Sequence, residues 1–375
     1  MSERFITFDG EKPNVVRRRM QNEKQISSTT FSEAESSLFP ACFVELPLNT
    51  ERRRAAFYLA AEEYVACALP EDVYLFTWQL SPTVVFGRNQ VLHRELDVDF
   101  CLREGIDMIR RKSGGGCIYA DRGNIMLSLI TGGGPVEPLF REYARCVADG
   151  LQQLGAPVEV SGRNDIVLKG GGKVCGNAFY HQTRRNIVHG TMLYDTDRRR
   201  MAGALTPDRS KLKSAGVASV KSRVAVLKDV LGRMGVDELR HRLRKMLCDR
   251  SVVLAEADVA KIEAMEQEYY EPEYFYGRIF SESEMCSGRI EQCGRIEVRF
   301  SVKGSVIEDV RLTGDFFEQE DAHTAFLRAF VGRMPTWESL RKAVSEYHPE
   351  RSIRHLSEEG LLEILSGAFR EPDRS

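Results

Sequence analysis

The sequence predicts a protein of mixed class, α/β or α+β, built from two domains rather than from a helical bundle. Three observations support this prediction. The chain has 375 residues, which corresponds to about two domains of roughly 150 residues each. Segments of helical periodicity alternate irregularly with strand-like runs along its length. An aperiodic stretch at about 271–294 then separates a further pair of strand-like runs from everything before it.

The first ordered elements are expected to follow a polar N-terminal tail. Residues 1–38 contain no apolar core of a secretory signal, so we expect them to be disordered. Apolar side chains at helical spacing predict a helix at 54–69, which Pro70 ends. Two short strands are expected at 73–78 and 83–86, because β-branched and aromatic residues dominate both runs.

Further elements of the first domain follow from the same patterns. Helices are expected at 141–154, at 237–247 and at 258–269, because apolar side chains recur on one helical face in each segment. A hairpin is expected between the first two of these helices. Its strands are predicted at 165–168 and 174–179, on either side of three consecutive glycines.

A domain boundary is predicted within the aperiodic stretch at about 271–294. The stretch contains proline, glycine and several serines, and its apolar residues follow neither a helical nor a strand period. We therefore assign residues 39–280 to a first domain and residues 290–370 to a second, smaller one. Most of the chain's candidate chemistry falls in the first.

The second domain is predicted to combine a strand pair with short helices. Apolar side chains alternate strictly at 296–302 and continue at 306–312, and the Lys303-Gly304 pair between them supplies a turn. Helices are expected at 322–331 and 337–344. These elements predict a small α+β module.

Composition and charge exclude several classes of function. With 53 basic and 55 acidic residues, a net charge of −2 provides no basic footprint for binding a nucleic-acid backbone. No apolar run reaches the roughly 18 residues that a transmembrane helix needs. The nine cysteines form no C-x-x-C pair and no zinc-type spacing with histidine, so we interpret them as reduced thiols. Because no targeting signal is readable, we expect a cytoplasmic protein.

The triple glycine Gly114–Gly116 is the first candidate for a binding site. Consecutive glycines let the backbone approach a ligand closely, and their successive N–H groups can form an anion-binding nest. The basic run at 110–112 adds positive charge directly before the loop. These features suit a phosphate, and a flexible turn is the alternative. A Walker A loop is absent, because Val174 follows Lys173 where serine or threonine is required.

Two further stretches carry candidate chemistry. Lys173 follows the glycines 170–172, and a lysine in such pliable backbone can move onto a ligand and stabilise developing negative charge. For this segment alone, the alternative is a solvated lysine at a hairpin turn. In the strand-like run 188–193, His189 is either a satisfied core histidine or part of a site.

Taken together, the order and spacing of these stretches resemble the lipoate–protein ligase family, which shares its catalytic fold with biotin–protein ligases. The matching motifs are R-R-x-S-G-G-G-x-x-Y-x-D-x-G-N at 110–124, G-R-N-D at 162–165, G-K-x-x-G-N-A at 172–178 and H-G-T at 189–191. Gly314-Asp315-Phe316-Phe317 resembles a signature of the family's C-terminal accessory domain.

The resemblance implies both a fold and an activity. The expected fold is α+β, with a ligase-like catalytic domain of mixed sheets and flanking helices at 39–280 and an accessory domain at 290–370. The expected activity is activation of lipoate with ATP to lipoyl-AMP and pyrophosphate, followed by transfer of the lipoyl group to a lysine of an acceptor protein. The expected acceptors are the lipoyl domains of 2-oxoacid dehydrogenase complexes and the glycine-cleavage carrier protein.

The resemblance also implies roles for individual residues. Lys173 is the expected catalytic residue, because its ammonium can bridge the acyl carbonyl and the phosphate in both steps. The amides of Ser113–Gly116 are expected to hold the phosphate, with charge from Arg111. Mg²⁺ prefers oxygen ligands, for which Asp165 and Asn164 are the candidates. The residues expected to bind ATP and lipoyl-AMP are Arg111, Ser113, Gly114, Gly115, Gly116, Tyr119, Asn164, Asp165, Lys173, Gly176, Asn177, His189 and Thr191.

Five other side chains bear on the expected site. Trp78, Val85 and Phe86 are candidates for lining a slot for the lipoyl chain, with core packing as the alternative for each. Two of the positions that depart from the family pattern are Tyr58, where asparagine is usual, and Cys175, where serine is common. We do not interpret Cys175 as a nucleophile.

Rival functions differ in what they require of the sequence. An octanoyl or lipoyl transferase that works without ATP would use a cysteine, which some relatives of this class place just before the position of Asp165, and residues 156–168 contain none. A transferase that accepts ready-made lipoyl-AMP is a second alternative, and the accessory domain favours the two-step ligase over it. A non-catalytic binder of lipoylated carriers would need neither the glycine-framed lysine nor the phosphate loop. A biotin ligase is disfavoured, because its arginine-rich loop is absent.

Overall fold

The computed structural model describes residues 38–47, 52–162, 165–182, 184–206, 224–277 and 284–369. The expected N-terminal tail lies outside these residues except for Leu38, and so does Asn164. The described residues belong to one compact unit. None of the helices within them has the length and apolar content required to span a bilayer.

The described strands include those predicted at 73–78, 83–86, 165–168 and 174–179, together with others that the sequence does not predict. They are β1 (Ala41–Glu45), β2 (Tyr74–Trp78), β3 (Thr83–Phe86), β4 (Asp107–Arg110), β5 (Ile118–Ala120), β6 (Asn124–Gly132), β7 (Val158–Ser161), β8 (Asp165–Leu168), β9 (Lys173–Gln182), β10 (Arg185–Leu193), β11 (Cys248–Val253), β12 (Glu284–Ile290), β13 (Gly294–Lys303) and β14 (Val306–Gly314). Strands β8 and β9 form the hairpin that the glycines predict.

The described helices surround these strands. They are α1 (Ala55–Ala68), α2 (Leu92–Glu95), α3 (Val98–Arg103), α4 (Val136–Gln153), α5 (Arg198–Ala204), α6 (Lys228–Leu231), α7 (Val236–Leu247), α8 (Glu256–Glu266), α9 (Pro272–Tyr276), α10 (Ala322–Phe330), α11 (Trp337–Tyr347) and α12 (Glu358–Phe369), with 3₁₀ turns at Gln267–Tyr270 and Pro349–Ser352. Helices α1 and α7 match their predicted bounds closely, whereas α4 begins at Val136 rather than at 141.

The main sheet is mixed, as the family resemblance implies. Its eight strands lie in the order β11-β1-β2-β6-β10-β9-β8-β7. Strand β1 runs parallel to both β11 and β2, and the remaining neighbours are antiparallel. The pairing of β1 with β11 joins residues that are about 200 positions apart, so it closes the first domain across most of its length.

Helix α1 is buried along nearly its whole length. All residues from Ala55 to Ala66 are buried, including the carboxylates of Glu62 and Glu63. The six alanines of α1 allow close approach to the neighbouring sheet and to α8. A buried carboxylate requires hydrogen-bond partners. Polar side chains of neighbouring elements are therefore expected in the core beside these two glutamates.

A second sheet has three strands in the order β4-β3-β5. The loop that contains Gly114–Gly116, called the glycine loop below, connects β4 to β5. Strands β3 and β4 are parallel, so the loops that follow them start at the same edge of the sheet. The backbone N–H of Arg88 donates to the carbonyl of Ser113 at 3.0 Å, which joins the two loops. A Cβ at Gly87 would overlap the carbonyl oxygen of Gly115, so glycine at 87 permits this contact.

The C-terminal module has its own sheet and its own apolar core. Strands β12, β13 and β14 form an antiparallel sheet, against which α10 and α12 pack. Strand β12 begins at Glu284, ahead of the residue 290 at which the sequence places the start of this module. Strand β12 and helix α12 are absent from the sequence prediction.

Candidate active site

A buried arginine organises the glycine loop. Arg111 directly follows β4, and its guanidinium donates hydrogen bonds to the carbonyls of Gly114 at 2.7 Å and Gly116 at 2.8 Å. It also donates to the carbonyl of Val85 at 3.1 Å and to Ser113 Oγ at 2.8 Å. Burial lowers the pKa of Arg111 to about 10, so the side chain stays charged at neutral pH. Arg111 therefore shapes the loop from within, in addition to supplying charge.

The loop is covered in part by the C-terminal module. Gly115 has a φ of +86°, and a Cβ at this position would lie 2.5 Å from a ring carbon of Phe317. The Gly115 N–H donates to the carbonyl oxygen of Phe316 at 2.9 Å. The expectation that every amide of Ser113–Gly116 is directed at a phosphate therefore needs correction at Gly115, because in this structure that amide binds the accessory segment.

Ser113 lies beneath the loop, with no exposed surface. Its Oγ is 2.7 Å from His189 Nε2, and His189 Nδ1 is 2.9 Å from Glu62 Oε2. The order of these contacts is that of a Ser–His–acid nucleophilic triad. A nucleophilic role is excluded, because substrate has no access to Ser113 Oγ and this oxygen already accepts a hydrogen bond from Arg111.

Lys173 opens strand β9 directly after the three glycines. Gly170, Gly171 and Gly172 have φ values of +97°, +120° and +90°, which other residues rarely adopt. The Lys173 ammonium forms an ion pair with Asp165 Oδ1 at 2.6 Å. A Cβ at Gly176 would overlap Cε and Nζ of Lys173, so glycine at 176 leaves the space in which the ammonium lies.

Strand register places the polar side chains of this region in a row. Asp165 pairs with Gly176 across β8 and β9, and Gly176 pairs with Thr191 across β9 and β10. One position further along, Asn177 lies opposite Gly190, where a Cβ would overlap Asn177 Oδ1. Small residues at 176 and 190 therefore make room for the functional side chains on the neighbouring strands.

These segments surround one cavity of about 1230 Å³. Most of the residues that the sequence predicts for the site line it, namely Arg111, Gly116, Tyr119, Asp165, Lys173, Gly176, Asn177, His189 and Thr191. The glycine loop and Lys173 thus face the same enclosed space, as a shared ligand requires.

The other predicted residues lie apart from the cavity wall. Ser113 is buried beneath the loop. Gly115 is covered by the ring of Phe317. Gly114 faces a second cavity of about 1110 Å³. Asn164 lies outside the described residues.

One section of the cavity wall is apolar. Trp78 and Val85 line it, as the sequence suggests, together with Leu59 and Met126. The candidate Phe86 is corrected, because its side chain is fully buried in a separate core cluster and does not line the cavity.

An aromatic stack fixes the Trp78 ring in this wall. The Tyr58 ring lies against it, with ring centroids 4.7 Å apart and an interplanar angle of 18°. The Trp78 Nε1 donates to Ser128 Oγ at 2.9 Å. The residue that departs from the family pattern at position 58 therefore supports a side chain of the apolar wall.

The C-terminal module contributes residues that sequence reasoning did not predict for the site. Arg289, Arg295, Glu297, Asp315 and Phe317 line the cavity from the opposite side. The sequence signal for this contribution is the Gly314-Asp315-Phe316-Phe317 motif. Its presence alone does not indicate that neighbouring strands also reach the site.

The thiols near the cavity differ in environment. Cys175 is fully buried, and burial raises the pKa of its thiol to about 12. A thiol of this kind stays protonated at neutral pH and is a poor nucleophile. Among the described cysteines, Cys117 lines the cavity, and its side chain is partly exposed.

The oxygen donors around Lys173 are compatible with a hard cation. The Asp165 carboxylate and the Thr191 hydroxyl both line the cavity, and Mg²⁺ takes oxygen ligands, with phosphate oxygens among them. Asp165 pairs with Lys173 in this structure. The same carboxylate can balance the positive charge of either the Lys173 ammonium or a bound cation.

Two family models match the chain. The lipoyl protein ligase A/B catalytic domain matches residues 54–247, and the bacterial lipoate protein ligase C-terminus matches residues 286–365. Lipoate-protein ligase LplJ of Bacillus subtilis is 34% identical over 318 residues, which cover 82% of this chain and 95% of that protein. Lipoate–protein ligase 1 of Staphylococcus aureus is 31% identical over 316 residues, with coverage of 82% and 95%.

Solved structures show the same fold. P. falciparum LipL1 in complex with lipoate superposes with a TM-score of 0.70 at 16% identity, covering 86% of this chain and 97% of that chain. A lipoate-protein ligase A bound with ATP superposes with a TM-score of 0.51 at 23% identity, covering 62% and 96%. At these identities the superpositions show the fold alone.

Proposed function

The chain belongs to the lipoate–protein ligase family, and from that premise we propose that it catalyses both steps of ATP-dependent lipoylation. In the first step, a lipoate carboxylate oxygen attacks the α-phosphorus of ATP; its bond to pyrophosphate breaks, giving lipoyl-AMP and pyrophosphate. In the second, the amine of an acceptor lysine attacks the lipoyl carbonyl. AMP leaves and the amine loses a proton, so that an amide forms.

One observation carries this proposal. Lys173, the glycine loop and an apolar wall surround a single cavity of about 1230 Å³. A mixed carboxylic–phosphoric anhydride with an alkyl chain requires all three, because it combines a charged phosphate, a polarised carbonyl and an apolar tail. The solved structures with lipoate and with ATP contain these ligands in proteins of the same fold, which supports the assignment.

Lys173 is proposed as the catalytic residue. Its ammonium is held by Asp165 at 2.6 Å, so it stands preorganised at the cavity wall rather than extended into solvent. Negative charge develops on the phosphate in adenylation and on the carbonyl oxygen in transfer. A fixed cation that meets this charge lowers both barriers, because it stabilises the transition state without reorganisation.

Other residues are proposed to bind and orient the reactants. The amide of Gly116 and the charge of Arg111 are proposed to bind the phosphate, with Asn177 and Thr191 as further polar groups on the cavity wall. Trp78 and the adjacent apolar wall are proposed to enclose the lipoyl chain. Burial of an alkyl chain in such a wall contributes about 0.8 kcal/mol per CH₂ group.

Mg²⁺ is proposed to accompany ATP, with Asp165 as the side chain that would hold it. The ion would neutralise phosphate charge when bound.

The proposed acceptors are lipoyl domains of 2-oxoacid dehydrogenase complexes and the glycine-cleavage carrier protein. The family's amide-forming chemistry supports a protein acceptor with a reactive lysine. The cytoplasm is the proposed location.

Mass spectrometry of an isolated lipoyl domain tests this function. Incubation with the protein, lipoate, ATP and Mg²⁺ should add one lipoyl group to one lysine of the domain, and omission of ATP should abolish the addition. An acceptor that remains unmodified with all components present, while a known ligase modifies it in parallel, would contradict the proposal.

A thioester-using transferase is the second candidate, because Cys117 lines the cavity. This candidate predicts lipoylation from a lipoyl or octanoyl thioester without ATP, and its loss in Cys117→Ser. The ligase proposal predicts that Cys117→Ser retains ATP-dependent lipoylation, so the two candidates separate in one assay.

A further inference from the structure

We propose that Glu62 is a positioning residue, which fixes the glycine loop and the apolar wall through one buried chain of hydrogen bonds. The inference deepens the proposed function and rests on it. Glu62 lies on α1 with no exposed surface, between Ser128 on β6 and His189 on β10.

The first half of the chain runs from the apolar wall to Glu62. Trp78 Nε1 donates to Ser128 Oγ at 2.9 Å. The Ser128 hydroxyl donates in turn to Glu62 Oε1 at 2.6 Å. Trp78 and Ser128 are both buried, so water does not substitute for either partner. The orientation of the Trp78 ring is thereby tied to the carboxylate of Glu62.

The second half runs from the glycine loop to the same carboxylate. Arg111 Nε donates to Ser113 Oγ at 2.8 Å, so the Ser113 proton is available to another acceptor. Ser113 Oγ lies 2.7 Å from His189 Nε2, and His189 Nδ1 lies 2.9 Å from Glu62 Oε2. A carboxylate only accepts hydrogen bonds, so Nδ1 carries a proton, and in a neutral imidazole Nε2 then accepts from Ser113.

Each step of the chain then has a defined direction. Both hydroxyls accept one hydrogen bond and donate one, and the two halves converge on Glu62 as the common acceptor. A neutral imidazole with its proton on Nδ1 is the tautomer that satisfies every contact. Glu62 therefore selects the His189 tautomer, and through it holds the Ser113 hydroxyl at the base of the glycine loop.

Glu62→Gln tests the role, because an amide has one accepting oxygen where the carboxylate has two. One of the two donors, from Ser128 or His189, then faces an NH₂ group. We expect the KM for both ATP and lipoate to rise about tenfold, in line with the loss of a hydrogen bond to a charged group. Measured by lipoate-dependent pyrophosphate release, Ser128→Ala should raise the KM for lipoate more than the KM for ATP.

Glu350→Gln is the matched control. Glu350 is also a buried glutamate that pairs with a histidine, because its Oε1 lies 3.2 Å from His348 Nδ1. It belongs to the C-terminal module and takes no part in the chain of hydrogen bonds around Glu62. We expect this variant to retain both KM values. If Glu62→Gln lowers kcat while both KM values stay at the wild-type level, Glu62 has only a structural role and the inference fails.

A second measurement is made on the wild-type protein and does not depend on activity. Nitrogen-15 NMR of histidine-labelled protein, with the His189 signals assigned by their absence in His189→Gln, reports the tautomer. We expect a protonated Nδ1 and a bare Nε2. A protonated Nε2, alone or together with Nδ1, would overturn the chain. Absence of pyrophosphate release in the wild type would instead overturn the proposed function and leave this result standing.

Discussion

At the scale of single residues, two of the cations that line the cavity, Lys173 and Arg111, differ in how they are held. Lys173 pairs with the Asp165 carboxylate at 2.6 Å, and its side chain is 22% exposed, so a ligand can reach it. Arg111 is buried and directs four hydrogen bonds to the loop and its surroundings. Lys173 is therefore suited to contact a ligand directly, and Arg111 is suited to keep the loop in one shape.

Arg111→Lys tests the structural role of the guanidinium. A lysine retains the charge but cannot replace four donors in a fixed plane, so buried carbonyl oxygens lose their partners. We expect the free energy of unfolding to fall by about 2–4 kcal/mol and the KM for ATP to rise. Urea unfolding and pyrophosphate release measure the two effects.

Arg145→Lys is the control for that substitution. Arg145 forms an exposed ion pair with Asp149 on the surface of α4, where lysine can replace it. We expect no measurable change in stability there. Wild-type stability and an unchanged KM for ATP in Arg111→Lys would show that the loop keeps its shape without the guanidinium.

The residues of the site differ in how far sequence could predict them. Lys173 and the triple glycine stand out because their flanking residues are unusual, and the motif spacing relates them to each other. Glu62 has no such signal, since a glutamate on a helix is most often solvent-exposed and only the fold reveals its burial. The hydrogen bonds of Arg111 likewise depend on the path of the loop, which composition does not determine.

At the scale of elements, the glycine loop and the Phe316-Phe317 segment are built to contact each other. Gly115 combines a positive φ with a position against the Phe317 ring. Phe317 is buried and also stacks on Phe179 of β9, with ring centroids 5.4 Å apart. The aromatic ring thus lies between the glycine loop and the strand that begins with Lys173.

Gly115→Ala should be strongly destabilising, because it adds steric overlap with Phe317 to the strain of a left-handed backbone. The backbone strain alone is about 1–2 kcal/mol. We expect a larger loss in the wild-type background than in a Phe317→Ala background, where the overlap is removed. Urea unfolding of the four proteins in this double-mutant cycle measures the difference.

Gly155→Ala provides the comparison for backbone strain alone. Gly155 has a φ of +94°, and a Cβ there would meet no atom within 4 Å. Its loss of stability should stay near the strain value. Equal losses for Gly115→Ala in the two backgrounds would show that the Phe317 ring does not constrain the loop.

Elements with a strong local period were predictable, and elements defined by their partners were not. Helix α7 shows its apolar face in the sequence, and β13 alternates strictly. Strand β12 contains Gly288, which packs against Ile364 of α12. The glycine in this strand is therefore explained by the contact with α12, which the sequence alone does not show. The parallel pairing of β1 with β11 spans about 200 residues and has no local signal at all.

At the scale of the whole molecule, the cavity has walls from both parts of the chain. An ion cluster around the buried carboxylate of Glu297 is one of the contacts that join them: Arg94 of the first part lies 2.7 Å from Glu297 of β13, and Arg299 lies 2.6 Å from the same carboxylate. Burial opposes ionisation of Glu297, but the hydrogen bonds from Arg299 and Arg94 outweigh it and hold its pKa below the ordinary value of 4.5.

This cluster makes the stability of the closed cavity dependent on pH. A carboxylate with a lowered pKa contributes stability above its unfolded-state value and loses that contribution as pH falls through its folded-state pKa. The difference in the free energy of unfolding between the wild type and Glu297→Gln should therefore be constant near neutral pH. It should shrink as pH falls below 4.5.

Urea unfolding at a series of pH values measures this difference. Glu308→Gln serves as the control, since Glu308 is exposed and pairs with Lys303 at 3.5 Å. Its difference from the wild type should be small at every pH. A Glu297→Gln difference that does not change with pH would show that the ion cluster contributes nothing through the charge of Glu297.

The central claim is that the ammonium of Lys173 acts on a phosphate and a carboxylate bound in one cavity. The most direct measurement is lipoate-dependent pyrophosphate release by the wild type, Lys173→Ala and Lys169→Ala. Lys169 lies in the same hairpin but is exposed and absent from the cavity wall, so it controls for charge and for folding of the hairpin.

We predict that Lys173→Ala slows release by a factor on the order of 100 or more, as removal of one preorganised charge-stabilising group does in other enzymes. Lys169→Ala should release pyrophosphate at the wild-type rate. Release by Lys173→Ala at the wild-type rate, from a protein that unfolds at the wild-type urea concentration, would contradict the claim.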